Sequence, residues 1–352
     1  MNPRGRYTPI PDAAAEAALD EAVKGIAAEI EELRLPKLRA VVLGGGYGRG
    51  EGGVRHTPAG GKLYNDLDFF VFSENADDRA AARIDEALRK LAAPWEKKLG
   101  IAVDFGPAKN TGSLKSVSHT LMFQELLRGW QPVWGRPDLE QWIPPLDAGE
   151  LPYSEAVRLL LNRGMGLILA GNFLKEGKDD ADFIVRNMNK AVLGGGDALL
   201  IASGNYRWSG RDRVSAFAEY VRREKLPPEY ADFYEKAFRW KLEPDPVLPA
   251  DPAGAWRKCR CFFLHSVCRC AGVPAGASAR TVADGLHARA GKERSVKNAL
   301  RWLLRSKTLR RPCTFFDPPV VTVLSMLYAE AVKTEGFADP GTRLYQLWHI
   351  FN

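Results

Sequence analysis

Two aspartates two residues apart open the run Asp66-Leu67-Asp68-Phe69-Phe70-Val71-Phe72. Its apolar and aromatic content predicts a strand over 66–72, and residues i and i+2 of a strand share a face. Two carboxylates held that close repel each other. A divalent cation between them removes the repulsion, and Mg²⁺ favours one or two carboxylates with phosphate oxygens and water completing its shell. Asp104, inside Ile101-Ala102-Val103-Asp104-Phe105, is a third carboxylate in a predicted strand. With the two strands adjacent, Asp66, Asp68 and Asp104 converge, enough to hold two metal ions for an in-line displacement at phosphorus. Upstream, the β-branched run ending at Leu43 stops at Gly44-Gly45-Gly46, followed by Tyr47-Gly48-Arg49-Gly50-Glu51. Backbone N–H groups of such a loop can approach phosphates with no Cβ in the way.

These residues need a scaffold. Ala13 to Leu33 carries apolar residues at helical spacing and predicts an amphipathic helix ended by Pro36. Leu38 to Leu43 predicts a buried strand, Asp77 to Leu99 a helix, and Ile101 to Phe105 a strand closed by Gly106-Pro107. After Pro144-Pro145 the pattern turns helical: Ser154 to Ala170 with Ser154 as cap, and Ala181 to Ser203, which Gly194 to Gly196 either bends or lets a neighbour approach. Helices follow at Ala216 to Trp240, Arg257 to Cys270, Lys292 to Ser306 and Val320 to Thr334, with Lys241 to Gly254 as a connector. No strand is expected beyond Gly135. The fold class is α+β: a mixed-sheet domain over 1–150 followed by an all-α helical domain over 151–352.

The order of strand, glycines, Arg-Gly-Glu, Asp-x-Asp strand and later Asp strand resembles the nucleotidyltransferase superfamily that includes DNA polymerase β, in its minimal bacterial or small-molecule form. The likeness covers about residues 38 to 135, and more faintly the helices beyond, which resemble that family's substrate-binding halves. It implies a nucleotidyltransferase-like sheet domain, with Gly45 and Gly46 on the nucleotide phosphates and Arg49 and Glu51 in the nucleotide-binding turn. It also implies Asp66 and Asp68 as paired metal ligands and Asp104 as the third carboxylate, which helps activate an acceptor hydroxyl. The implied reaction is Mg²⁺-dependent transfer of a nucleoside monophosphate from a nucleoside triphosphate, with ATP expected, releasing pyrophosphate. The acceptor, whether small molecule, protein or RNA, stays open. Two departures stand out: Val54 to Tyr64 reads as an inserted loop, and Asn65 stands where Ser is common.

Rival readings start from the same residues. Gly48-Arg49-Gly50-Glu51-Gly52-Gly53 satisfies G-x-G-x-x-G with an aspartate about 20 residues on, as in a dinucleotide fold. That fold needs a helix directly after the glycines, and Pro58, Gly60 and Gly61 deny it one. A second alternative keeps the nucleotidyltransferase-like fold as a non-catalytic nucleotide- or RNA-binding module.

The 352 residues, 45% hydrophobic and 26% charged, exclude a disordered or fibrous chain. No apolar run approaches the roughly 20 residues of a membrane span. The N-terminus lacks a signal-peptide core, and an odd cysteine number, five, does not read as a disulfide framework; a cytoplasmic protein is expected. Of the net charge of +7, the segment from Asp251 onward carries 16 Lys/Arg against 7 Asp/Glu. Arg294, Lys297, Arg301 and Arg305 fall on one predicted helical stripe, either a solvated face or an RNA contact. Cys259, Cys261, Cys268 and Cys270 lack zinc-site spacing and read as buried thiols. His119 reads as a surface or packed histidine. Asn162-Arg163, Lys190 and Asp197 to Tyr206 offer either a triphosphate clamp or interhelical pairing.

Overall fold

The structure, a computed structural model, describes residues 6–9, 12–58, 60–117, 119–290, 296, 300, 319–333 and 343–351. The chain divides into two compact units: Met1–Asp147 with Arg239–Asp245, and Ala148–Phe238 with Pro246–Asn352. The class is α+β, a small mixed sheet with many helices. Among the described residues no helix is long and apolar enough to cross a membrane.

In the first unit, helix α1 spans Ala13–Leu33, with the Asp12 carboxylate accepting from the Ala15 N–H at 2.9 Å, a cap worth about 1 kcal/mol. Leu19, Ala22, Val23, Ile26 and Ile30 are its buried stripe. Strand β1 (Leu38–Leu43) leads through helix α2 (Gly45–Gly48) to the hairpin β2 (Val54–Thr57) and β3 (Gly60–Leu63), then to β4 (Leu67–Ser73). The segment expected as a loop from Val54 is thus an antiparallel pair, turned through Gly60 at φ +110°. Helix α3 (Asp78–Leu99) carries the chain to β5 (Val103–Phe105) and β6 (Lys109–Asn110), followed by α4 (Leu121–Arg128), β7 (Gln131–Gly135) and α5 (Leu139–Trp142).

The main sheet runs β5-β4-β1-β7, with β6 continuing beside β4. Strand β1 is antiparallel to β4 and to β7. Strands β4 and β5 are parallel, as a helical crossover such as α3 requires. The strand at β7 was not foreseen; Pro132 suits it because β7 is an edge. Alternation along β4 sends Leu67, Phe69 and Val71 into a core shared with α1 and α3. Phe72, with Phe70 packed alongside, joins Phe123, Leu126, Leu139 and Ile143 on the opposite face.

The second unit is helical throughout its described residues. Helix α6 (Tyr153–Glu176) starts after Pro152 with no side-chain cap, so Ser154 lies inside the first turn and is not the cap. Helix α7 (Ala181–Ala202) runs unbroken through Gly194 to Gly196. A Cβ on those glycines would fall 2.3 Å from Arg163 Cγ, 2.8 Å from Phe262 Cε1 and 2.4 Å from Tyr234 Cδ2. The glycines therefore admit neighbours and do not bend the helix. The single helix expected over 216–240 is two, α8 (Gly210–Arg223) and α9 (Glu229–Leu242). Lys225, at φ +52°, and the Pro227-Pro228 pair break it. Helix α10 (Pro252–Ala271) begins earlier than expected because Asp251 caps it and Pro252 occupies its first turn. Helix α11 (Ala279–Arg289) and the helices Pro319–Lys333 and Arg343–Phe351 follow.

Gly196→Val is expected to destabilise the helical unit by about 1–3 kcal/mol, because its side chain must displace the buried Tyr234 ring. Denaturant unfolding of the full chain checks this; an unchanged midpoint removes the close-packing account.

Candidate functional site

The backbone after β1 turns sharply at Gly44 and Gly45. The Gly44 N–H donates to the Asp68 carbonyl at 2.8 Å, extending the β1–β4 ladder by one bond. Gly45 then takes φ +61°, and a Cβ there would lie 2.0 Å from Asp68 Oδ2. Only glycine meets both demands, left-handed backbone and contact with a carboxylate.

The residues around the turn hold it. Tyr47 is fully buried; its hydroxyl donates to the Gly53 carbonyl at 2.9 Å and accepts from the Tyr64 N–H at 3.0 Å. Burial, aided by the charge of Asp66 and opposed by backbone donors, pushes its hydroxyl up to about 12, so it stays protonated. Asn65 accepts the Gly53 N–H, which ties the end of the glycine loop to the residue before Asp66. Arg49 and Glu51 form a chain of partly buried ion pairs: Arg49 to Glu125 at 3.4 Å, Arg49 to Glu51 at 3.7 Å, and Glu51 to Lys241 at 3.3 Å. Tyr7, buried on the N-terminal segment, accepts the Gly52 N–H through its carbonyl at 3.1 Å.

The sequence places all three aspartates as ligands, and the structure sorts them. Asp68 and Asp104 are register partners on the parallel strands β4 and β5, so their side chains leave the sheet on one face. Phe69 and Phe105, the next pair, stack at 4.7 Å on the other. Asp66 lies just ahead of β4, not on it. Its charge is felt at both Tyr47 and Asp104. The carboxyl of Asp104 is raised above the usual range, first by partial shielding from water and then by Asp66 and Glu96. Among the described residues no three His, Cys, Asp or Glu side chains are grouped tightly enough to enclose a metal. The all-oxygen donor set fits a hard cation that takes one or two protein carboxylates and completes its octahedron from ligand phosphate and water.

A cavity of about 290 Å³ opens beside Asp68 and Asp104, walled by Phe70, Phe72, Met122 and Phe123, with Lys109 also lining it. Sequence reading missed this feature, together with Tyr47, Glu125 and Lys241. Periodicity along β4 marks Phe70 and Phe72 as facing with Asp68; nothing local marks Lys241, which meets Glu51 across 190 residues.

Other expected residues have different uses. Asp197 pairs with buried Arg213 at 3.4 Å and accepts from Tyr234, and Asn162 accepts from the Trp348 indole at 3.1 Å; interhelical pairing accounts for both. The Arg163 side chain packs on Gly194. His119 is exposed. Cys268 and Cys270 are buried, Cys259 is half-buried and Cys261 is exposed, which corrects the expectation of four buried thiols. Arg294, Lys297, Arg301 and Arg305 lie outside the described residues.

Carboxyl NMR titration is expected to put Asp104 above the usual aspartate range, and Asp66→Asn to lower it in part, since shielding is the larger cause. A carboxyl raised in the fold binds its proton more tightly there than in the unfolded chain. Its contribution to stability therefore falls as pH rises through the window between the ordinary and the raised value, and Asp104→Asn flattens that slope. A normal Asp104 titration overturns the partial shielding of Asp104 and the influence of Asp66 and Glu96 on it.

No protein-family model matches this chain, and no curated protein matches it.

Proposed function

We propose that this protein is a Mg²⁺-dependent nucleotidyltransferase, moving a nucleoside monophosphate from a nucleoside triphosphate, ATP first, to an acceptor hydroxyl. The observation that carries the reading is the position of Asp68: its carboxylate touches the Gly45 turn on one side and registers with Asp104 on the other. A phosphate seated on the turn thus lies beside carboxylates that can share a cation with it.

In this reading the N–H groups of Gly45 and Gly46 hold phosphate oxygens, and the missing side chains let them approach. Asp66, Asp68 and Asp104 would hold Mg²⁺ through one or two carboxylates per ion, with ligand phosphate and water supplying the rest, and Mg²⁺ would polarise the phosphoryl oxygens and offset charge developing on the leaving group. Asp104 also accepts the proton of the acceptor hydroxyl. Arg49 and Glu51, engaged with Glu125 and Lys241, hold the turn in shape. The acceptor oxygen then meets phosphorus opposite the departing pyrophosphate, and catalysis is mostly positioning and charge.

The test is Mg²⁺-dependent release of pyrophosphate from ATP, CTP, GTP or UTP supplied with pools of hydroxylated acceptors. Asp68→Asn is expected to cut turnover by at least about 10³-fold while circular dichroism and unfolding stay unchanged. Asp104→Ala is expected to lose turnover to a similar degree yet retain most nucleotide affinity, because acceptor activation is realised only in the transition state. Wild-type turnover by Asp68→Asn overturns the reading, and nucleotide binding without turnover by the wild-type chain leaves a binding module.

A further inference from the structure

The cavity beside the aspartates has a chemical polarity that the proposed transfer does not explain by itself. Across the sheet β4 separates β1, with its glycine turn, from β5, and no residue of the turn lines the cavity. It therefore lies on the acceptor side of Asp68. Its long wall is one face of β4, Asp68 to Phe70 to Phe72, closed by Met122 and Phe123 of α4. Register fixes the two ends. Asp104 pairs with Asp68, and Lys109 pairs with Phe72. The backbone span from Asp68 to Phe72 is roughly 13 Å at about 3.3 Å per residue. One end of the cavity thus presents carboxylates, the other an ammonium, and the middle is aromatic, with Phe70 and Phe123 already edge-to-face at 6.1 Å.

Each part selects against most ligands. A polyol or amino sugar would lose its water to apolar walls that return no hydrogen bonds. A flat ring stacks on or edges against phenylalanines at no such cost. A hydroxyl is the group that donates to a carboxylate, and an anion is the group that pairs with Lys109. We propose that the cavity binds a hydroxyaryl acid, a single aromatic ring with a hydroxyl at the Asp104 end and an anionic substituent at the Lys109 end. Resting on the transfer reading above, this compound is the acceptor. Its hydroxyl oxygen forms the new bond to the α-phosphorus, the bond from that phosphorus to pyrophosphate breaks, and the hydroxyl proton passes to Asp104 and then to water.

The probe is 3-(4-hydroxyphenyl)propanoate, compared with its methyl ester, titrated into the full chain by ligand-observed NMR without nucleotide. Lys109 is exposed and Met122 half-exposed, so Lys109→Ala and Met122→Trp should keep the fold. The acid is expected to bind saturably and about tenfold more weakly to Lys109→Ala, the ester to be indifferent to that change, and both to be lost in Met122→Trp. No saturable binding, or equal weakening of acid and ester by Lys109→Ala, overturns the proposal. Adding ATP and Mg²⁺ separates it from the reading it rests on. Pyrophosphate release that follows the hydroxyaryl acid supports both. Release with other acceptors only overturns the acceptor assignment and leaves the transfer standing. Binding as expected with no release from any acceptor overturns the transfer, and the acceptor role with it.

Discussion

The contact between the Gly45 backbone and the Asp68 carboxylate is the constraint on which the first unit depends. The sheet can bring the two together only because β1 and β4 pair antiparallel, with Leu43 opposite Phe69 and the ladder continued by Gly44 donating to Asp68. Once the strands are so registered, any side chain at 45 collides with the carboxylate. The turn then has to leave the sheet steeply, and it does so through α2, where Gly48 donates back to Gly44 at 2.7 Å and Glu51 to Gly46 at 2.9 Å. Tyr47 is the residue that makes this path stable. Its buried ring fills the space beside Gly52, where a Cβ would fall 1.9 Å from Cδ1, and its hydroxyl satisfies two backbone groups of the returning chain that burial would otherwise leave costly.

Charge is distributed around this turn in two distinct ways. Arg49 and Lys241 face Glu125 and Glu51 in a closed alternation of sign, whose members are mostly shielded from water. Removing one member leaves a partner exposed to a low-dielectric surround, which is costlier than the pair's net contribution. Such a chain is a brace. Asp68 and Asp104, by contrast, are register partners on one face of adjacent strands, and the Asp104 carboxyl is raised first by partial shielding from water and then by Asp66 and Glu96.

Legibility follows the range of the interactions. Helix α1 is read to the residue because its apolar stripe and the stop at Pro36 are both local. The glycines are visible for the same reason, but the shared strand face expected for Asp66 and Asp68 is not met: β4 starts at Leu67, and Asp68 registers with Asp104 instead. What escapes depends on partners distant in sequence. Strand β7 is short and contains Pro132, and only its place beside β1 makes it a strand. The hairpin β2–β3 has almost no apolar pattern. The break between α8 and α9 was legible in Pro227-Pro228 but was outweighed by the periodicity on either side. Glu125, Lys241 and the wall of Phe123 and Met122 meet the site only through the fold.

The second unit shows why residue type alone misleads. Arg213 carries the same guanidinium as a phosphate clamp, yet it is buried, with its Nε 3.4 Å from Asp197 and its Nη1 turned to the Tyr206 hydroxyl and to the Arg207 and Trp208 carbonyls. Burial of Tyr234 beside Asp197 raises that hydroxyl well above its ordinary range, so it remains a donor to the carboxylate. A guanidinium whose donors are committed inside a core cannot be withdrawn to meet a ligand without exposing Asp197 to the cost of an unpaired buried charge. Gly196 of α7 serves that same core by admitting Tyr234. Gly45 and Gly196 are therefore alike in what they lack and opposite in what the gap receives. One admits a carboxylate that still faces solvent and so can exchange partners; the other admits a ring whose partner is already inside.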